Sequence, residues 1–344
     1  MSAPSFQFRR GGIYFPELAL WLDPHERRNG PERVFVSHAH SDHTGFHREA
    51  ILTEATARLM SARLGKRRSV EHVLPFHERR RFDGPGEPFE ITLLPAGHIL
   101  GSAMALIEWN GGSVLYTGDF KLRPSLAAER CEFAAARGVD ALIMETTFGL
   151  LNYVFPEPKT VLEDIARFCR ETIEQGGTAG LMVYSLGKCQ EVLCGLGGSG
   201  LPLLLHETAW TMTRQYEELG WPLPAYCRHE GGLAPGKVLL CPPNAAVVEE
   251  LRASSNSKLA VATGWAMDSS CRYRSRCDAA FPLSDHADFP GLIEFVRIIR
   301  PKTVFTLHGF AAEFAQTLRE LGFDARALGM QEQLHLPLVM ERPW

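Results

Sequence analysis

Three imidazoles and a carboxylate crowd the run Ser37-His38-Ala39-His40-Ser41-Asp42-His43, in a chain of 344 residues with 13 histidines. Imidazole nitrogen and carboxylate oxygen are the donors that borderline cations such as Zn²⁺ prefer. The run follows Val34-Phe35-Val36, which reads as a strand, and in extended backbone alternate side chains share a face. His38 and His40 are therefore placed to grip one ion. Asp42 and His43, in the turn beyond, are placed to serve a second ion about 3.5 to 4 Å away. The spacing points to a dinuclear, zinc-type hydrolytic centre.

Further donors stand where strands should end. His98 sits in Pro95-Ala96-Gly97-His98-Ile99-Leu100-Gly101-Ser102-Ala103, where a histidine between glycines reads by itself as a turn residue as readily as a ligand. Asp119 follows Val114-Leu115-Tyr116-Thr117-Gly118, and the glycine lets the backbone approach something closely. Asp23 closes the run Leu18 to Leu22, although Asp-Pro is also a common turn.

The elements that must carry these residues are legible from periodicity. Short apolar runs at Ile13-Tyr14-Phe15, Leu18 to Leu22 and Val34-Phe35-Val36 read as strands split by turns. Ala57, Met60 and Leu64 have helical spacing over 53–64, with Gly65 as the stop. Strands are expected at Phe89 to Leu94, Ala103 to Trp109, Ser113 to Tyr116 and Leu142-Ile143-Met144, with Asn110-Gly111-Gly112 as a hairpin turn. After about residue 155 an amphipathic helix (Val161, Ile165, Phe168, Cys169, Ile173) opens an alternation of strand-like and helical stretches, which suggests a small parallel sheet. The first pattern returns after about residue 275, with a strand Val304 to Leu307 ending at His308 and a helix over 310–321. One α/β domain interrupted by a second is the simplest architecture.

The set Asp23, His38-x-His40-x-Asp42-His43, His98 and Asp119, in that order, resembles the metallo-β-lactamase superfamily. Four later stretches resemble its β-CASP nucleases: Glu145-Thr146-Thr147-Phe148-Gly149, Tyr184 to Glu191, Leu283-Ser284-Asp285-His286-Ala287-Asp288 and His308-Gly309. The resemblance implies an αββα sandwich over 1–155 and 276–344, with a β-CASP α/β domain inserted at 156–275. It places His38, His40 and His98 on a first metal, Asp42, His43 and His308 on a second, Asp119 between both and Asp23 behind them. Two divalent cations are implied, zinc before manganese. Attack by a hydroxide bridging the metals would cleave a phosphodiester, with His286, held by Glu145, as general acid to the leaving oxygen. Ser284 and Lys188 would touch phosphates.

Substrate class is the finer expectation. The Ala-His-Ser-Asp-His spelling, the compact insertion and the lack of an appended domain are similar to the bacterial ligase-associated DNA exonucleases. They favour trimming of DNA in repair, with a DNA ligase and other repair proteins as partners. The alternatives are an RNA-processing exo- or endonuclease, a small-molecule metallo-hydrolase, or an inactive scaffold. Net charge is −4, so any nucleic-acid track must be local. Basic clusters occur at Arg63 with Lys66 to Arg68, at Arg79 to Arg81, and at Arg272, Arg274 and Arg276; the last is the preferred track, with Tyr273 to stack on a base. No apolar run or leader segment speaks for a membrane or for export, and the eight scattered cysteines fit a reduced, cytoplasmic setting.

Overall fold

The computed structural model describes residues 5–9, 12–65 and 70–329. The described residues form two compact units: those up to 124, with 128–153 and 286–329, make the first, and 125–127 with 154–285 make the second.

The first unit holds two sheets. Six strands from Gln7–Arg9 to Val70–Val73 lie in chain order in one of them. The other has seven strands, in the order Ala325–Ala327, Thr303–Leu307, Ala141–Glu145, Gly112–Tyr116, Ala103–Trp109, Phe89–Pro95 and Arg79–Phe82. Alternation along the strands decides what each face buries. Ile13, Phe15, Phe35 and Ile51 of the first sheet share one core with Ile91, Ile107, Val114, Ile143 and Phe305 of the second. The opposite face of the second sheet, with Leu94, Leu115, Leu142 and Met144, packs under the helices Phe289–Ile299 and Ala311–Glu320. The opposite face of the first, with Val34, Val36 and Leu52, meets Ala57 and Met60 of the helix Glu54–Leu64. Helix, sheet, sheet, helix is the resulting layering, the αββα sandwich expected. Thr53 caps that last helix by accepting from Thr56 N–H, and Gly65, at φ 80°, ends it.

The second unit is built on one six-stranded sheet whose pairings are all parallel. Ala179–Met182 lies inside it, and later strands add on either side. Pro158–Glu174, Lys188–Leu196 and Glu207–Glu218 cover one face, and Val247–Ala253 lies on the other. Ala279–Phe281 pairs with Lys258–Ala262 of this sheet, so the chain returns to the first unit at His286, later than the expected 275/276. Backbone pairing at one more strand edge moves that boundary. All eight cysteines are free thiols, and Cys271 and Cys277 do not pair. No helix among the described residues is long and apolar enough to cross a membrane.

Candidate metal centre and acid dyad

Every donor the sequence singles out in the first unit lies in the loop just beyond a strand end. After Leu20–Leu22 the chain places Asp23 at φ 41°, a left-handed conformation that aspartate tolerates better than most residues. Its buried carboxylate is a hub. Ser37 N–H donates to Oδ1 at 2.7 Å, while Ser37 Oγ (2.5 Å), Tyr116 Oη (2.9 Å) and His43 Nδ1 (2.8 Å) all reach Oδ2. With Nδ1 engaged, His43 turns its Nε2 toward Asp119 Oδ2, 3.4 Å away. Ser37 and Tyr116 were not singled out in the sequence. The signal was their position, one residue before His38 and three before Asp119.

Two glycines bring the remaining loops together. A Cβ on Gly118 (φ 52°) would lie 2.5 Å from Ser37 Cβ, and one on Gly97 (φ 77°) would lie 2.4 Å from the Lys121 carbonyl. Ser102 Oγ accepts from His98 N–H at 3.1 Å and fixes the His98 turn. The outcome is convergence: His38 Nε2 and His98 Nε2 each lie 3.1 Å from His40 Nδ1, and 3.6 and 3.8 Å from Asp119 Oδ2. Donor atoms of His38, His40, His98 and Asp119 all fall within 4.8 Å of one another. Asp42, on the surface, has Oδ2 3.9 Å from His43 Nε2, and the His308 ring lies 5.8 Å from the His43 ring. His308 holds φ 60°, and its carbonyl accepts from Thr146 Oγ1 at 2.8 Å.

This donor set fits a divalent cation. Several imidazole nitrogens and a carboxylate oxygen facing inward are mutually repulsive unless a cation or proton lies among them. Burial, helped by His43 and His98, holds the His38 imidazole well below its ordinary pKa, and burial lowers His308 too. Both are thereby kept neutral, the ligating form. Burial pushes His43 the same way, but Asp119 and Asp23 overcome it and raise its pKa well above the ordinary value. Burial favours protonated Asp119, yet His43 and His286 hold its pKa well below the carboxylate range.

Beside the donors stands a second pair. Glu145 ends the strand Ala141–Glu145 and is 1% exposed. Its Oε1 accepts from Phe120 N–H (3.1 Å), its Oε2 from Thr147 N–H (3.0 Å), and His286 Nδ1 lies 2.8 Å from Oε1. The His286 ring is 4.7 Å from that of His98, and Asp119, Glu145 and His286 each offer an atom within 4.8 Å of the others.

The expected substrate contacts lie in the second unit and are placed differently. Lys188 is 1% exposed, its Nζ donating to the Leu283 carbonyl at 2.8 Å and pairing with Asp285 Oδ1 at 3.1 Å. That ammonium tethers the 283–285 segment, so the phosphate contact expected of it gives way to an internal role. Ser284 is buried. Arg274 pairs with Asp268 at 2.7 Å, Arg276 lies 3.9 Å from Glu249, and Arg272 lies over the Tyr273 ring at 5.0 Å. Of these, Arg272 and Tyr273 keep an exposed, stackable surface. Arg79 is an edge-strand residue paired with Glu90 and Glu108, and Lys66 to Arg68 lie outside the described residues.

Comparison with known proteins agrees with this arrangement. Residues 22–162 match the profile of the metallo-β-lactamase superfamily, and residues 274–328 match that of a Zn-dependent metallo-hydrolase RNA specificity domain. A protein of Opitutus terrae named "Probable DNA ligase" is 48% identical over 96% of this chain, which corresponds to 32% of that protein. The RNase J-like protein of Methanocaldococcus jannaschii is 32% identical over 47% of this chain and 42% of its own length. The 5′ exonuclease Apollo of Gallus gallus is 33% identical over 49% of this chain and 36% of its own. The chain thus spans less than half the length of these relatives. A solved Enterococcus faecalis protein of unknown function shares the fold at a TM-score of 0.57 and 17% identity, over 86% of this chain and 78% of that one.

Proposed function

This chain belongs to the β-CASP branch of the metallo-β-lactamase superfamily, a family of metallo-hydrolase nucleases, and from that premise we propose that it is a metal-dependent nuclease trimming DNA ends in repair. The observation that carries the reading is the Glu145–His286 pair set against Asp119 and His98. Cation donors alone suit many hydrolases. A histidine aligned by a buried carboxylate beside them supplies an acid for a departing sugar oxygen.

His38, His40 and His98 would hold one cation, Asp42, His43 and His308 another, with Asp119 facing both. Cations bound there would lower the pKa of water and neutralise charge on the non-bridging oxygens of a phosphodiester. The chain's own residues do the rest. Asp23 fixes the His43 ring through Nδ1, leaving Nε2 for the site. Glu145 does the same for His286 through Nδ1, which leaves Nε2 as the atom that would pass a proton to the leaving group. Asp119, kept ionised by His43 and His286, supplies negative charge among the imidazoles.

DNA is favoured over RNA because the relative sharing 48% identity across 96% of this chain bears the name of a DNA ligase, and trimmed ends are what a ligase needs. A ligase and other repair proteins are the partners this implies, in the cytoplasm. RNA processing is the second reading, supported by the RNA specificity profile over 274–328 and by the RNase J-like relative. The test offers end-labelled single-stranded DNA, duplex DNA and RNA to the protein with Zn²⁺ or Mn²⁺ and reads the product ladder. Stepwise shortening of DNA is expected. RNA degraded in preference to both DNAs would replace the first reading with the second.

A further inference from the structure

The strands Ala141–Glu145 and Thr303–Leu307 run side by side in parallel, with Glu145 opposite Leu307. Both leave the sheet at the next residue, and Thr146 ties the two exits together. It is fully buried. Its N–H donates to the Leu307 carbonyl at 2.9 Å, and its own carbonyl accepts from Phe310 N–H at 3.0 Å. Its hydroxyl has one proton and two acceptors in reach, the His308 carbonyl at 2.8 Å and the Leu307 carbonyl at 3.1 Å. The Leu307 oxygen already receives the backbone N–H, so the hydroxyl proton favours His308, the nearer of the two.

The turn held in this way is a constrained one. His308 (φ 60°) and Gly309 (φ 55°) are left-handed in succession, a conformation that few residues other than glycine adopt. Gly309 passes so close to the neighbouring exit that a Cβ on it would lie 2.4 Å from Thr147 Cα. A left-handed residue that is not glycine persists where its surroundings over-determine it. For His308 those surroundings include Thr146, which bonds the chain just before it, at it and two residues after it. Backbone conformation also sets where a side chain points. In this turn the His308 ring faces that of His43, with centroids 5.8 Å apart. Released toward an ordinary φ, His308 would carry its ring elsewhere.

We propose that the Thr146 hydroxyl is a positioning group for the cation assigned to Asp42, His43 and His308. By holding His308 left-handed, it keeps that imidazole among the donors. The hydrogen bonds of Thr146 go to main chain, so its effect on a cation passes through the backbone at His308. The proposal rests on the reading of His308 as a ligand and adds the residue that makes it one.

The test measures Zn²⁺ binding to the metal-free full chain by chelator competition, which separates two cations by affinity. Thr146→Val keeps the shape and removes the hydroxyl. Thr146→Ala removes it with less bulk, should the valine variant fail to fold, and Thr146→Ser retains it. Expected in the hydroxyl-free variants is one cation weakened about 10- to 100-fold, the same one that His308→Ala loses. The other cation should bind as in the unsubstituted chain, and Thr146→Ser should keep both. A hydroxyl that merely closed the turn would lower the unfolding midpoint and leave both affinities unchanged; that result overturns the proposal. Equal weakening of both cations overturns it too, as does a loss in Thr146→Ser matching that in Thr146→Val. If His308→Ala binds both cations as firmly as the unsubstituted chain, His308 is no ligand and the proposal falls with that assignment, whereas the cleavage assay judges the nuclease reading separately.

Discussion

Two largely buried polar networks, one in each unit, differ in the balance of donors and acceptors. In the second unit, Gln190 Oε1 accepts from Gly187 N–H while its Nε2 donates to the Ser185 carbonyl and Thr213 Oγ1. Beside it Lys188 is matched by the Leu283 carbonyl and Asp285. Donors meet acceptors and nothing more is needed. In the first unit, His38, His40, His98 and Asp119 turn like partners toward one point. The balanced network is architecture, whereas the unbalanced one is relieved by a cation or a proton among its donors. Burial alone does not separate the two; counting lone pairs against protons does.

Removing the centre of the unbalanced network should have the largest effect. Asp119→Ala is expected to abolish turnover and to lower bound metal measured by plasma emission; retained cleavage would end the two-cation reading. His286→Ala should slow cleavage by about 10²- to 10⁴-fold, the usual worth of a positioned acid, with metal content unchanged. Metal loss in that variant would make His286 a ligand instead. Lys188→Met tests the balanced side. Stranding Asp285 is expected to cost about 3 to 5 kcal/mol in denaturant unfolding, and an unaltered midpoint would show that the Lys188 pairing contributes nothing. Asp23→Asn should weaken metal binding by about 10- to 100-fold, measured by chelator competition.

The smallest effect concerns pH. His38 has a depressed folded pKa, so its contribution to stability is fully present above the unfolded value of about 6.5 and is lost as pH falls below it. His43, with its raised pKa, acts in the opposite sense, so the His38 part is read as a difference: on acidification of the metal-free protein from pH 7, His38→Gln should lose less melting temperature than the unsubstituted chain, and equal slopes would remove His38 from the account.

The run His38 to His43 stood out by residue type and by its place after a strand, whereas Asp23, His98 and Asp119 were each weak signals alone. Only the family resemblance, in the order of the motifs, linked them to one another and to His308. Lys188 was expected on a phosphate only because the family motif has a cation there, and no local pattern displays the tertiary position of Asp285 that it pairs with. The helix Phe289–Ile299 was not placed individually, although Leu292, Ile293, Phe295, Val296 and Ile299 have helical spacing.

Asp23 accepts from Ser37 and His43, in loops of the first sheet, and from Tyr116, on a strand of the second. One carboxylate is therefore a strut across the sandwich, and any change in the spacing of the sheets is transmitted to the imidazole it steers. Cation affinity in this protein should consequently act as a gauge of how tightly its two sheets close, responding to a trimmed core side chain such as Ile143 that touches no ligand.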